Sequence, residues 1–497
     1  MKRSRLLCSV LLSSWTLAAL ARSDSAPASA EAVSPEVQAR ITRVEQGLST
    51  HVVVKGSPER TMTLAQRMAF HQVPAVSIAL INDGKVEWAR AYGLADVASR
   101  RPATTTTLFQ AGSVSKAVSA IGALRLVEQG KLVLDGDANR QLTSWKIPQN
   151  AFTQKEPVSL RMLLNHGAGT TVHGYDGYEQ GQKLPTLLQV LDGAAPANSA
   201  PVRVDIAPHS TWRYSGGGYS IIQLMVTEAA KQPFDAYMKA ALLDPLGMVR
   251  STFAAPLPEA LRSEAATAYD GNGKAVAGQW HVFPESAAAG LWTTPSELAR
   301  VVLEVQQAEA GKSDRILSRE MAKALLTRDL GEYGLGFFVE NLGDRTSFSH
   351  SGANVGFRAQ IYGYTRSGQG VVVMTNSDGG AALIEEILCS IAAEYHWPEF
   401  QVVEKTAMAG DAATNRRLAG DYRLVNRPAR VVAEGDRLYF QSELFGARRM
   451  ELFAQSKTEF FMTAQDMAIR FEQDSDGAVS GFALLRGGQS YPATRVQ

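Results

Sequence analysis

Val76, Ile78 and Leu80 alternate with smaller residues, Asn82-Asp83-Gly84 supplies turn chemistry, and Val86-Glu87-Trp88-Ala89 returns. That pattern predicts a β-hairpin. The period then changes. Ala117, Ala120, Leu124 and Val127 recur at helical spacing after Ser113 and stop at Gly130, which predicts a helix. The stretch 150–330 reads as mainly helical with long loops, including helices over 221–230 and 234–243, the second ending at Pro245. Strands return over 357–364 and 371–375 around a turn at Ser367-Gly368-Gln369-Gly370, followed by a helix over 381–395. Strands at both ends with helices between predict one sheet assembled from distant segments, flanked by helices and carrying a mostly helical insertion.

Beyond Trp397-Pro398 the pattern shortens. Residues 406–416 are small and polar. From Leu418 onward brief β-like runs dominate, among them Arg430-Val431-Val432, Leu438-Tyr439-Phe440, Glu459-Phe460-Phe461 and Ala468-Ile469-Arg470-Phe471. Turn signals at Glu434-Gly435-Asp436 and Asp474-Ser475-Asp476-Gly477 separate them. The chain therefore divides into a main domain over 37–400, a linker over 401–416 and a small all-β domain over 417–497.

Composition narrows the function. The 497 residues are 45% hydrophobic and 20% charged, ordinary for a globular protein with a large core. Fifty basic residues face forty-nine acidic ones, a net charge of +1, so nothing draws the chain toward nucleic acid or anionic membrane. Lys2, Arg3 and Arg5, an apolar stretch over 6–20 and Ala19-Leu20-Ala21 read as an export signal over 1–21, followed by a flexible leader over 22–36. The apolar stretch is short of the roughly 20 residues that a stable membrane span needs. The expected location is periplasmic or secreted. Cys8 lies too near the start for a lipid-attachment cysteine, and Cys389 is then alone in the mature chain, in an apolar helical setting that suits a buried, inert thiol.

The strongest chemical signal is Gly112-Ser113-Val114-Ser115-Lys116 at a helix start. Positions i and i+3 share a face, so the Ser113 hydroxyl and the Lys116 amine can lie together. A serine needs such a neighbour to become a nucleophile. A helix-capping serine followed by a surface lysine would carry the same letters. Two further segments add weight: Trp212-Arg213-Tyr214-Ser215-Gly216-Gly217-Gly218-Tyr219, a tyrosine at a glycine turn leading into a helix, and Ser349-His350-Ser351-Gly352-Ala353-Asn354 before a strand.

Together they resemble the serine β-lactamase and penicillin-binding protein superfamily, in its class C branch, which includes D,D-peptidases, D-aminopeptidases and family VIII esterases. Val73-Pro74-Ala75, Leu163-Leu164-Asn165-His166-Gly167-Ala168-Gly169, Asp244-Pro245-Leu246-Gly247-Met248 and Ala289-Gly290-Leu291-Trp292 carry the likeness in the family's order. The resemblance implies a β-lactamase-like α+β fold and hydrolysis through an acyl-serine. Ser113 and Lys116 match the family's Ser-x-x-Lys, and Tyr214 its proton-shuttling tyrosine. Free tyrosine has a pKa of about 10, so a basic Tyr214 requires a cation to lower it, and Lys116 is the nearest choice. His350-Ser351-Gly352 matches Lys-Thr-Gly, the Ser113 and Ala353 N–H groups become the oxyanion hole, and Gly216 and Asn354 fall among the substrate contacts.

Two departures shape the expected substrate. Gly216 stands where the family has asparagine, and His350 where many β-lactamases have lysine. Esters and D-configured peptides or amides are therefore expected over β-lactams, with carboxylate recognition strengthening as His350 gains charge toward pH 6. The alternative is a penicillin- or cell-wall-peptide-binding protein with negligible turnover. No Gly-x-Ser-x-Gly occurs, and Gly311-Lys312-Ser313 lacks the first glycine of a phosphate loop, with Gln306 in its place. The eight histidines form no His-x-x-x-His pair, so no metal and no cofactor are expected. His166 reads as a satisfied structural histidine and His173 as a cleft residue. Tyr175, Tyr178 and Trp292 suit either a groove or a core. The partner is a small molecule or short peptide, and the oligomeric state stays open.

Overall fold

The computed structural model describes residues 33–57, 61–343, 345–425, 427–442, 449–463, 466–474, 477–486 and 489–496. The expected signal, Cys8 and most of the expected leader fall outside these. Among the described residues no helix is long and apolar enough to cross a membrane.

Strand β1 (Val52–Val54) precedes the predicted hairpin, which forms as β2 (Ala75–Asn82) and β3 (Lys85–Asp96). The short β4 (Arg101–Pro102) and β5 (Phe109–Gln110) lead into the helical insertion, and β6 (Trp292–Thr293) pairs back on β5. Then come β7 (Phe338–Leu342), β8 (Arg345–Asn354), β9 (Phe357–Tyr364) and β10 (Gly370–Thr375). The main sheet has seven strands in the order β4-β3-β2-β10-β9-β8-β7, every pair antiparallel.

Both faces of this sheet are covered, which explains the apolar runs in its centre. Ala75, Ala79 and Ile81 of β2 and Val372 and Met374 of β10 join the core shared with the Val114–Glu128 and Pro295–Glu309 helices. The alternate residues Val76, Ile78, Leu80, Val371 and Val373 pack with the Pro35–Gln46, Leu64–His71 and Gly380–Tyr395 helices. Burying one such side chain contributes about 1.5–3 kcal/mol. Cys389 is buried within this second layer, and burial pushes its thiol up to about 12.

The stretch expected as linker holds regular structure. β11 (Val403–Lys405) pairs in parallel with β1, and a helix over Ala412–Leu418 is capped by Asp411. The rest forms β12 (Gly420–Leu424), β13 (Arg427–Glu434), β14 (Arg437–Ser442), β15 (Met450–Ala454), β16 (Glu459–Met462), β17 (Met467–Gln473), β18 (Val479–Arg486) and β19 (Gln489–Arg495). These eight strands close into a barrel through the β12–β19 pairing, with Tyr422 opposite Arg495. Tyr422, Phe440, Phe471 and Phe482 fill the interior, with Phe482 4.9 Å from Tyr422 and 5.8 Å from Phe471 between ring centres.

Candidate active site

The turn before the Val114–Glu128 helix lies directly against β8, and glycine permits it. Gly112 has φ +52, and a Cβ there would come within 2.6 Å of the Ala353 nitrogen. A Cβ on Gly352 would fall 1.9 Å from the Ala111 carbonyl oxygen and 3.3 Å from the Ser113 nitrogen. The turn that carries Ser113 and the strand that carries Ala353 thereby pack backbone against backbone. Behind them, Ala111 donates to the Leu291 carbonyl at 2.8 Å and Leu291 donates to Ser115 Oγ at 3.0 Å.

Ser113 stands at the N-cap position, yet its side chain makes no capping bond. Its Oγ instead accepts from Lys116 Nζ at 2.9 Å. Lys116 donates a second bond to the Ala288 carbonyl at 2.9 Å and is 2% exposed. Among the described residues no carboxylate contributes to its ionisation, and burial pushes it down to about 7. Tyr214 faces the pair, with Lys116 Nζ 4.9 Å from its ring centre and its hydroxyl interacting with the Ser113 side chain. Burial drives the Tyr214 phenol upward, above its ordinary value. The expectation that Lys116 would draw this phenol down is not met, because Lys116, held at about 7, has lost its charge before the pH at which a phenol ionises.

The glycine segment after Tyr214 is helical. Gly216, Gly217 and Gly218 form the first turn of a helix over Gly216–Ala230, capped by Ser215 Oγ, which accepts from the Gly218 N–H at 3.0 Å. Close approach explains three glycines in a helix that would favour alanine by about 1 kcal/mol each. Gly216 donates to the His173 carbonyl and Gly217 to the Val172 carbonyl, both at 3.0 Å, and a Cβ on Gly217 would lie 2.6 Å from the Thr171 oxygen. A Cβ on Gly216 would meet the Tyr175 ring at 3.1 Å. Tyr175, held by a 2.7 Å bond to Ser220 Oγ, thus takes the space that a longer side chain at 216 would enter.

On β8, Ser351 and Ala353 face outward while His350, Gly352 and Asn354 are buried. His350 Nδ1 donates to the Ser351 carbonyl at 2.7 Å, and its Nε2 accepts from the Tyr333 hydroxyl at 3.0 Å. Burial, aided by Lys116, pushes His350 down to about 3. The expected gain of charge toward pH 6 is therefore overturned: an enclosed imidazole stays neutral there. Asn354 is a brace, its Nδ2 donating to Gln110 Oε1 at 2.8 Å and to the Ala289 carbonyl at 3.1 Å. Trp292 and Tyr178 are core residues, and His173 is exposed, 5.0 Å from Tyr214 between ring centres. His166 is buried with Nδ1 bonded but Nε2 without a partner among the described residues, so it is only half satisfied. Lys116's acceptor, Ala288, carried no sequence signal, since any residue supplies a carbonyl.

No group of three or more His, Cys, Asp or Glu positioned to hold a metal occurs among the described residues. The family model described as Beta-lactamase matches residues 62–387. The chain belongs to the beta-lactamase family. That match spans the main sheet up to the Gly380–Tyr395 helix and every residue of the site described above. Among curated relatives of this beta-lactamase-family chain, penicillin-binding protein 4* of Bacillus subtilis is 25% identical over 443 residues, 83% of this chain and 93% of that one. Esterase EstB of Burkholderia gladioli is 33% identical over 198 residues, 38% of this chain and 48% of that one. The solved octameric penicillin-binding protein homologue from Pyrococcus abyssi shares the fold at TM-score 0.60 and 22% identity, over 87% of this chain and 98% of that one. The coarse class is a hydrolase of beta-lactamase fold, related to penicillin-binding proteins.

Proposed function

We propose that the chain is an exported serine hydrolase that cleaves esters or D-configured peptides and amides through an acyl-Ser113 intermediate, with weak action on β-lactams. The observation that carries this reading is the 2.9 Å contact between Ser113 Oγ and a buried lysine that no carboxylate among the described residues neutralises. Near pH 7 a large fraction of Lys116 is unprotonated and able to take the Ser113 proton as Oγ attacks the substrate carbonyl. The Ser113 and Ala353 N–H groups then meet the developing oxyanion. Tyr214, a neutral phenol beside Ser113, hands a proton to the departing alkoxide or amine and is resupplied from Lys116. Water enters by the reverse relay and frees Ser113. The upward push on Tyr214 supports Lys116 as the proton acceptor and Tyr214 as the relay.

The substrate preference rests on Gly216 and Tyr175. A glycine offers no amide to an acylamino side chain, and the Tyr175 ring occupies the adjoining space. The esterase name of the Burkholderia gladioli relative points the same way. A fluorophosphonate should leave one adduct, on the Ser113 peptide, and a chromogenic short-chain ester should turn over many times per enzyme. An adduct elsewhere, full activity in Ser113→Ala, or a single stoichiometric release without turnover overturns the reading. D-alanyl peptides, D-amino-acid amides and a chromogenic cephalosporin in the same assay rank the substrate classes.

A further inference from the structure

The 171–173 segment holds the chain after Tyr214 through Ser215 and Gly216, and His166 holds it on both sides of the tyrosine. His166 accepts the Arg213 N–H on its carbonyl at 3.0 Å and the Ser215 N–H on its Nδ1 at 3.1 Å. One residue therefore grips the chain immediately before and immediately after the tyrosine. The Ser215 donor precedes a helix start, where N–H groups lack intrahelical acceptors, so the imidazole supplies what the helix cannot.

The ring also touches the tyrosine itself. The His166 and Tyr214 ring centres are 4.3 Å apart at 38°, with Tyr333 at 4.7 Å and Tyr219 at 5.4 Å from the same imidazole. Reaching this position costs His166 a left-handed backbone, φ +64, uncommon outside glycine. Because Nδ1 accepts, the ring proton sits on Nε2, and that buried N–H has no partner among the described residues. An apolar ring would fill the same space without an orphaned donor, so packing alone does not account for a histidine here. Burial and the nearby Lys116 hold the imidazole neutral, which keeps Nδ1 an acceptor.

We infer that His166 is the positioning residue for Tyr214, clamping both sides of its backbone and one face of its ring so that the hydroxyl stays beside Ser113. This rests on the reading of Tyr214 as the proton relay. His166 touches no reacting atom in this scheme, and its effect passes wholly through the tyrosine.

The test compares His166→Phe, which keeps a ring and loses the acceptor, with His166→Asn, whose side-chain oxygen can take the Nδ1 role and which tolerates a left-handed backbone. Both are assayed on a short-chain chromogenic ester and by rate of fluorophosphonate labelling, with melting temperature as control. His166→Phe should lose about 10–10²-fold in kcat with KM unchanged within about twofold. His166→Asn should recover kcat to within about fivefold of wild type. Should His166→Phe fail to fold, His166→Ala takes its place with the same expectation. Wild-type kcat in the folded acceptor-free variant overturns the inference, as does an Asn variant that folds and is equally slow. If wild-type labelling falls on a residue other than Ser113, the functional reading itself has failed, which is a separate outcome.

Discussion

The surroundings of Ser113 and the interior of the barrel are both buried, but they bury different things. Around Ser113 the chain encloses Lys116, His166 and His350, each pushed away from its ordinary ionisation by burial. Inside the barrel it encloses carbon: Leu424, Val431, Ile469 and the rings packed edge-on or tilted around Phe482. The barrel's ion pairs, such as Arg430–Asp421, stay in solvent, where a pair is worth about 0–1 kcal/mol. One region accepts the expense of desolvating polar groups and the other avoids it. Desolvated groups with shifted ionisation concentrate at functional sites, so the contrast agrees with the proposed chemistry around Ser113 and offers none inside the barrel.

The sharpest way to break that contrast is to remove its central pair. Ser113→Ala should abolish ester turnover, by about 10⁴-fold or more, with the melting temperature unchanged. Lys116→Met should be nearly as inactive and yet melt higher. In the folded state Lys116 is held down to about 7, against about 10.4 unfolded. Below pH 7 the fold must therefore carry a buried charge, and the stabilisation by methionine is full there. It fades as pH rises from about 7 toward 10.4. An unchanged or lower melting temperature at pH 6 would show that Lys116 is better solvated than its burial implies.

Tyr214→Phe should slow turnover by about 10²–10⁴. A drop below about fivefold would leave the relay to Lys116 alone. The pH profile then distinguishes the two roles. With Lys116 as acceptor, kcat/KM should rise about tenfold per pH unit below an apparent pKa of about 7 and level off above it. A rise that continues past pH 9 would mark a tyrosinate base. Barrel changes should affect activity least. Phe482→Ala should destabilise the barrel by about 3–5 kcal/mol, and cutting the chain after Ala409, which keeps β11, should leave small-ester hydrolysis within about fivefold. Loss of all small-ester activity in a folded truncation would mean that the barrel supplies part of the site.

Much of this contrast was legible in the sequence, for local reasons. The β2–β3 hairpin follows from period-two apolarity around Asn82-Asp83-Gly84, and the barrel strands from the same alternation between turn signals. Ser113 and Lys116 were legible because one helical turn fixes their neighbourhood. What depends on distant segments was not. Closure of the barrel needs Tyr422 beside Arg495, and the neutrality of His350 follows from the wall around it, including Tyr333. Gly216–Gly218 read as a turn because glycine weakens helices, whereas the structure uses them for the approach of the 171–173 segment. His166 looked satisfied because sequence shows no orphaned atoms.

The seam between β2 and β10 sets a timetable as well as a shape. Ile78 finds its partner in Val373, and Val52 of β1 finds Val403 of β11. During synthesis at about 5–20 residues per second, the first hairpin waits tens of seconds for its neighbour strand. The nascent chain cannot complete its sheet until nearly the whole front domain has emerged, while the barrel, whose strands pair mostly with their successors, can close as soon as β19 follows β12.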